Sequence, residues 1–183
     1  MSANLKLKLK GVVRSRADAI GLLTSPGEAV IVSRVNPRWL LMSCPCGCGA
    51  ELPINLDPRS GAAWRIYRDR KHGISIYPSI WRDSDCRSHF IVWRNKIFLF
   101  GQYSDEFDSA SPKRDSLTLR TIVANRIPTA DFVSYVEVAD SLGAVPWDVL
   151  DACRYLTRSG SLEEGTGKHR GTFRHLGLRD KVE

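Results

Sequence analysis

Residues 43–52 read SCPCGCGAEL and place three cysteines, Cys44, Cys46 and Cys48, on alternate positions. Thiols this close together make a reactive site, a metal cage or a disulfide knot. The chain holds five cysteines, and an odd count argues against a disulfide framework. A fourth thiol comes from CRSHF, residues 86–90, where Cys86 and His89 stand two residues apart. Zinc takes four soft or borderline ligands in a tetrahedron, so five candidates compete for four places. One set is the four cysteines. The other replaces one of Cys44, Cys46 and Cys48 by His89. Gly47 and Gly49 let the loop wrap closely around an ion. The Cys-X-Cys-X-Cys spacing departs from the paired Cys-X-X-Cys knuckle. The plainer reading, buried reduced thiols, is the weaker one, because a glycine-rich loop buries little. A redox role needs a low-pKa thiol, and nothing in the spacing supplies one. Iron–sulfur ligation suits thiols too, but the first half of the motif lacks the Cys-X-His of a Rieske site. Metal binding would act here as folding energy for a small β unit.

Working outward, RWLLMSC leads into the cluster as a strand, and AVIVSR before it is another, β-branched throughout. At the start of the chain Leu5, Leu7 and Leu9 alternate with Lys6, Lys8 and Lys10, the period of a half-buried strand. RADAIGLLTSPGE between them predicts a short helix closed by Ser-Pro-Gly. Beyond the cluster, INLDPRSGAAW carries Asp-Pro and Ser-Gly breakers and predicts a loop. WRIYRDRKHGISIYPSIW predicts two strands around Lys71-His72-Gly73, and SHFIVWRNKIFLF two more around Arg94-Asn95-Lys96. From Gly101 the chain turns polar, and residues 102–127 are expected to be a linker, within which SLTLRTIVANRI suits a strand or a short helix. Phe132, Val136, Ala139 and Leu142 then recur at helical spacing up to Gly143. Pro146 starts a second helix, with Val149, Leu150, Cys153 and Leu156 on its apolar face. A hairpin follows around Gly165-Thr166-Gly167. The expected fold is α+β: a small β-rich zinc-binding domain over residues 1–101, and a helical unit over residues 128–183 that resembles a winged helix. Cys153 is expected to be a core thiol.

Composition bounds the function. The chain has 183 residues, 43% hydrophobic and 26% charged, as in a globular protein. No apolar run approaches the ~20 residues that span a bilayer, and the N-terminus lacks the apolar core of a secretory signal. The expectation is a cytoplasmic protein with reduced thiols and no membrane partner. The net charge is +7, unevenly spread. Residues 1–38 carry seven basic and two acidic groups, residues 59–96 nine and three, residues 102–160 six and nine. A basic field favours an anionic partner, an acidic protein surface or nucleic acid. DNA reading by the helical unit is disfavoured, because Asp148 and Asp151 stand on the helix that would enter the groove.

If the thiols fill the metal site, His89 is free to act as a base. Serine needs such a base to become a nucleophile, and two serines stand near: Ser79 in YPSIW and Ser88 beside the histidine. Neighbouring strand residues point to opposite faces, so Ser88 and His89 diverge in a regular strand, whereas Ser79 reaches His89 across the strand pair. At an irregular strand start Ser88 stays a candidate. Asp57, Asp83 and Asp85 are candidate orienting acids. On spacing alone a turn or strand-end hydrogen bond is the better explanation of either serine.

CPCGCG, then PSIW, then CRSHF followed by an aromatic strand together resemble a bacterial family encoded beside ubiquitin-like proteins and their activating- and conjugating-enzyme-like partners. The resemblance covers about residues 30–100. It implies zinc at Cys44, Cys46, Cys48 and Cys86, marks Ser79, Ser88 and His89 as catalytic candidates, and implies a peptidase acting at the C-terminus of a ubiquitin-like protein. The expected activity is therefore a deubiquitinase-like serine hydrolase with a structural zinc, partnered by a ubiquitin-like protein and its conjugation enzymes. In it, backbone amides near the zinc loop would hold the oxyanion, and Arg82, Arg87 and Arg94 would steer an acidic substrate. The competing reading is a non-enzymatic zinc module that binds protein or nucleic acid, with Tyr77, Trp81 and Trp93 as contact surface. A third reading makes His89 and two or three thiolates an open zinc site with Glu51 as base. It ranks lower, because thiolates blunt the Lewis acidity of zinc.

Overall fold

The computed structural model describes residues 5–100 and 116–177, in two units divided between Phe107 and Asp108. The fold is α+β, with most strands of the described residues in the first unit and their three α-helices in the second.

The first unit is built from two four-stranded sheets. One holds β1 (Lys8–Val13), β2 (Glu28–Ser33), β3 (Pro37–Ser43) and β4 (Glu51–Asn55) in that order. β1 runs parallel to β2, and the remaining pairs are antiparallel. The other holds β5 (Arg65–Asp69), β6 (Gly73–Trp81), β7 (His89–Trp93) and β8 (Lys96–Leu99), all antiparallel. Their inner faces share one core: Ile31, Leu40, Met42 and Ile54 from the first sheet pack with Ile76, Phe90, Val92 and Leu99 from the second. Alternation dictates this. In β7, Phe90 and Val92 point inward while His89 leads the opposite face. The leucine–lysine alternation at the start behaves as expected, with Leu7 buried and Leu5 and Leu9 against the same core. A smaller cluster of Ala19, Val30, Val32 and Leu41 covers the outer face of the first sheet.

Two local expectations are corrected. RADAIGLLTSPGE forms only a 3-10 turn at Ala17–Ala19. Gly21 and Gly27 take positive φ there, and the Glu28 carboxylate accepts from the Thr24 and Ser25 amides instead of letting a helix continue. And β4 continues two residues into the stretch read as loop. Its Pro53 lacks an amide, which an edge strand tolerates, and β4 is an edge. The turn at Arg94-Asn95 has both residues at positive φ, the geometry of a two-residue hairpin loop. The Asn95 side chain accepts from the Ile74 amide.

The second unit runs α1 (Ser116–Arg126), β9 (Val133–Ser134), α2 (Tyr135–Leu142), α3 (Pro146–Arg158), β10 (Leu162–Glu164) and β11 (Thr172–His175), with the three strands ordered β10-β11-β9. SLTLRTIVANRI, open to a strand or a short helix, is the helix α1; the stretch before it, from residue 102 to residue 115, lies outside the described residues. Ser134 and Glu137 form a capping box on α2, and Gly143 closes it in the left-handed conformation, as glycine alone does without cost. Phe132 precedes the helix and is part-exposed. Cys153 is fully buried in α3, and burial pushes its thiol up to about 12. No described helix is long and apolar enough to cross a membrane.

Candidate functional site

The connection between β3 and β4 carries Cys44, Cys46 and Cys48. Cys44 donates its amide to the Ala50 carbonyl, and its own carbonyl accepts from Gly47, so the loop closes on itself in one turn. Gly47 and Gly49 take φ of 86° and 79°, the left-handed region any side chain would strain. Cys86 sits in the tight connection from β6 to β7, where the Arg82 amide donates to the Ser88 carbonyl at 2.8 Å. Asp85 and Arg87, on either side of Cys86, both have positive φ. Two such non-glycine departures flanking one thiol cost free energy and turn it toward the other three.

The four Sγ atoms lie within 4.8 Å of one another, with Cys44 at 3.3 Å from Cys46 and 3.8 Å from Cys86. Four sulfurs each about 2.3 Å from one ion would be about 3.8 Å apart, so the cluster has the size of a tetrahedral cage and can hold a metal. His89 is not a member of it. The Ser88 hydroxyl, buried, lies 3.2 Å from Cys86 Sγ and 3.5 Å from Cys44 Sγ. Hydrogen bonds from its hydroxyl and its amide bring the Cys86 thiol down to about 6. Burial pushes Cys44 up to about 12, an unfavourable place for a thiolate unless a cation shares the cluster.

On the other face of the same strand, His89 Nε2 stands 3.1 Å from Ser79 Oγ. The register explains the approach. Ile76 pairs with Val92 and Ile80 with Phe90, so four steps on β6 span two steps on β7. Tyr77, Pro78 and Ser79 thus stand opposite Ile91 alone and form a bulge with two residues in excess, and the Tyr77–Pro78 peptide is cis. Trp81 pairs directly with His89, leaving Ser79 on the diagonal of the same face. The Trp64 indole donates to the Ser79 carbonyl at 3.1 Å and pins the bulge. The imidazole lies against the Phe100 ring, centroids 4.3 Å apart, with Trp81 at 6.0 Å. This burial lowers the His89 pKa from its usual 6.5, so the ring is neutral at pH 7 and Nε2 can accept a proton.

The structure thus brings Ser79 to His89 and Ser88 to the thiols. Of the candidate orienting acids, Asp57 is bound to Arg59 and Asp85 to Arg82. Among the described residues no carboxylate hydrogen-bonds the imidazole. Trp64 and Phe100 were not singled out in the sequence. Trp64 ends a loop with no periodic pattern, and Phe100 follows the last strand, so only the fold places them at the site.

A Ser–His pair beside a cage of four cysteines is a combination that a family model can test. Residues 16–100 match the BubE family model. Its description is bacterial ubiquitination-like system serine protease. The BubE match takes in all four clustered cysteines, Ser79, Ser88 and His89, and bears out the resemblance carried by CPCGCG, PSIW and CRSHF. It leaves the second unit outside. No curated protein and no solved structure matches the chain significantly.

Proposed function

We propose that the chain is a serine peptidase of a bacterial ubiquitin-like conjugation system, cleaving after the C-terminal tail of the ubiquitin-like protein, with Ser79 as nucleophile and His89 as base. The observation that carries this is the 3.1 Å contact between Ser79 Oγ and a half-buried, neutral His89 Nε2. With its own hydrogen on Nδ1, the imidazole takes the Ser79 proton as Oγ bonds to the scissile carbonyl carbon. It returns that proton to the leaving amine as the C–N bond breaks. Water then attacks the acyl ester with His89 again as base, releasing the carboxylate and restoring the hydroxyl. Trp81 and Phe100 lie against the imidazole, and its burial keeps it neutral and so able to accept the Ser79 proton.

In this reading Cys44, Cys46, Cys48 and Cys86 hold a zinc ion. With all four places taken by thiolates, the ion would tie the two loops together and supply structural rather than Lewis-acid chemistry. Ser88 braces the thiolates. The Arg82 guanidinium, tied to Asp85 and within the field of Cys86 and Cys48, offsets their negative charge. An open zinc site with Glu51 as base is the weaker reading, because His89 stands apart from the four thiols and Glu51 pairs with Arg16.

The test is labelling of the zinc-loaded protein with a fluorophosphonate and mapping of the modified residue. Label on Ser79 that disappears in His89→Ala at full zinc content is the expected result. Label on Ser88, or loss of zinc in His89→Ala, would overturn the assignment.

A further inference from the structure

The first unit has a second concave feature. Arg14 and Arg16 follow β1, Arg34 and Arg38 flank the β2–β3 turn, and Arg59 follows β4; these five line one open groove together with Trp39. All five arginines are exposed. The groove's walls hold one carboxylate, Asp57. Arg59 binds Asp57 at 2.8 Å, and Arg16 binds Glu51 at 3.1 Å. Arg14, Arg34 and Arg38 have no ion pair among the described residues, although Arg38 is close enough for its field to act on Asp57. So many guanidinium groups repel one another unless an anion lies among them. The floor is apolar: Trp39 packs on the small cluster of the outer sheet face, and Val35 at the rim is 90% exposed.

Guanidinium is a planar fork that fits carboxylate through two parallel bonds. Arg59 already binds Asp57 this way, through Nε at 2.8 Å and Nη2 at 2.8 Å. Unpaired forks around an apolar floor suit an extended acidic segment with an apolar side chain.

Chain connectivity ties this groove to the Ser–His pair. Asn55 donates its side-chain amide to the Asp57 and Ala62 carbonyls and so braces the loop that carries Asp57 and Arg59. That loop ends at Trp64, whose amide donates to the Asn55 carbonyl and whose indole donates to the Ser79 carbonyl. From Arg59 to Trp64 the chain can extend no more than about 17 Å. A partner that holds the groove, on the outer face of the first sheet, reaches Ser79, on the outer face of the second, by rounding the unit at this loop.

We infer that the arginine groove is a docking site for an acidic, apolar-studded segment of the protein whose tail is cleaved at Ser79. This rests on the peptidase reading for the identity of the partner, and on the groove alone for its chemistry. The test uses the full zinc-loaded chain as Ser79→Ala. Fluorescence anisotropy follows a labelled peptide of alternating Glu and Leu, its Gln–Leu counterpart and an oligothymidylate. Arg34→Ala with Arg38→Ala changes two exposed side chains without ion pairs, and zinc content checks its folding. The expected result is that only the Glu peptide binds well, that salt weakens it, and that the double variant weakens it by about tenfold or more. Fluorophosphonate labelling of Ser79 in the otherwise native double variant should be unchanged. Equal binding of the Gln peptide, or no effect of the double variant, overturns the inference. Tighter binding of the oligothymidylate, lost in the same variant, overturns it in favour of nucleic acid. If the native chain takes no label while the Glu peptide still binds through Arg34 and Arg38, the peptidase reading fails and the groove stands. Label without peptide binding has the opposite meaning.

Discussion

Ser88 and His89 are consecutive, yet they serve two sites of opposite character. Ser88 faces the core side and its hydroxyl meets two thiols. His89 opens the outer face, with Ser79 and two aromatic rings for company. The thiol cluster is closed on itself and fixes two loops. The Ser–His pair is half exposed, with the 70% exposed Trp81 at its edge, as a site that must admit a chain has to be. Ser88 ends the connection that carries Cys86 and His89 begins β7, so one step of the chain keeps them apart. One face of β7 can thus be tied to a metal while the other does chemistry, and each should fail independently when perturbed.

The hardest way to break this separation is to deny the thiol cage its metal. Cys44 is the most buried of the four clustered thiols and part of the main core, so if zinc fills the cage, Cys44→Ser or a strong chelator should cost at least about 5 kcal/mol. The first unit should then lose its cooperative melt, and Ser79 its label. A metal-free chain that melts at the same temperature would make the thiols mere packing. Next come Ser79→Ala and His89→Ala. Each should lower hydrolysis of a ubiquitin-like precursor by about 10³-fold or more, with melting temperature and metal content unchanged. Coupled loss of metal in His89→Ala would show that the two faces are one site.

The sequence announced the parts of this arrangement better than their assembly. The cysteines were legible as a cage because their residue type leaves few other uses, and Ser79 opposite His89 was legible from strand pairing. Which of Ser79 and Ser88 meets the imidazole was not, since it depends on a bulge that inserts two residues between Ile76 and Ile80. β4 was hidden by its proline. The basic surface was expected around Arg82, Arg87 and Arg94; Arg87 is exposed, while Arg82 is engaged with Asp85 and Arg94 lies over the Trp93 ring. The groove instead draws arginines from three segments separated by up to 45 positions, and no window of sequence shows that convergence.

Ser88→Ala sharpens the comparison with a smaller effect. Outer partners of metal ligands typically account for about 10–100-fold in affinity. The variant should therefore release zinc to a competing chelator that much more readily, while Ser79 in the zinc-saturated protein is labelled at the native rate. Full zinc retention with lost labelling would transfer the nucleophile to Ser88.

The smallest effect belongs to pH. Burial lowers the His89 pKa below 6.5, and the base must be neutral to accept the Ser79 proton. The rate of labelling should therefore rise with pH to a plateau, with its midpoint below 6.5, so that activity survives mild acid. The same shift makes the unfolded chain bind the proton more readily than the folded one. Its contribution to stability is present above 6.5 and is lost as pH falls through the lowered value. Phe100→Ala strips the ring 4.3 Å from the imidazole, admits water and stabilises the charged form. It should move the midpoint up toward 6.5 and reduce labelling most on the acid side. A midpoint that does not move would mean that Phe100 does not desolvate His89, and that the cover must come from elsewhere on that face. Because this face carries no thiols, zinc content should stay constant across the same pH series in both proteins, and a parallel loss of metal would tie the titration to the cage instead.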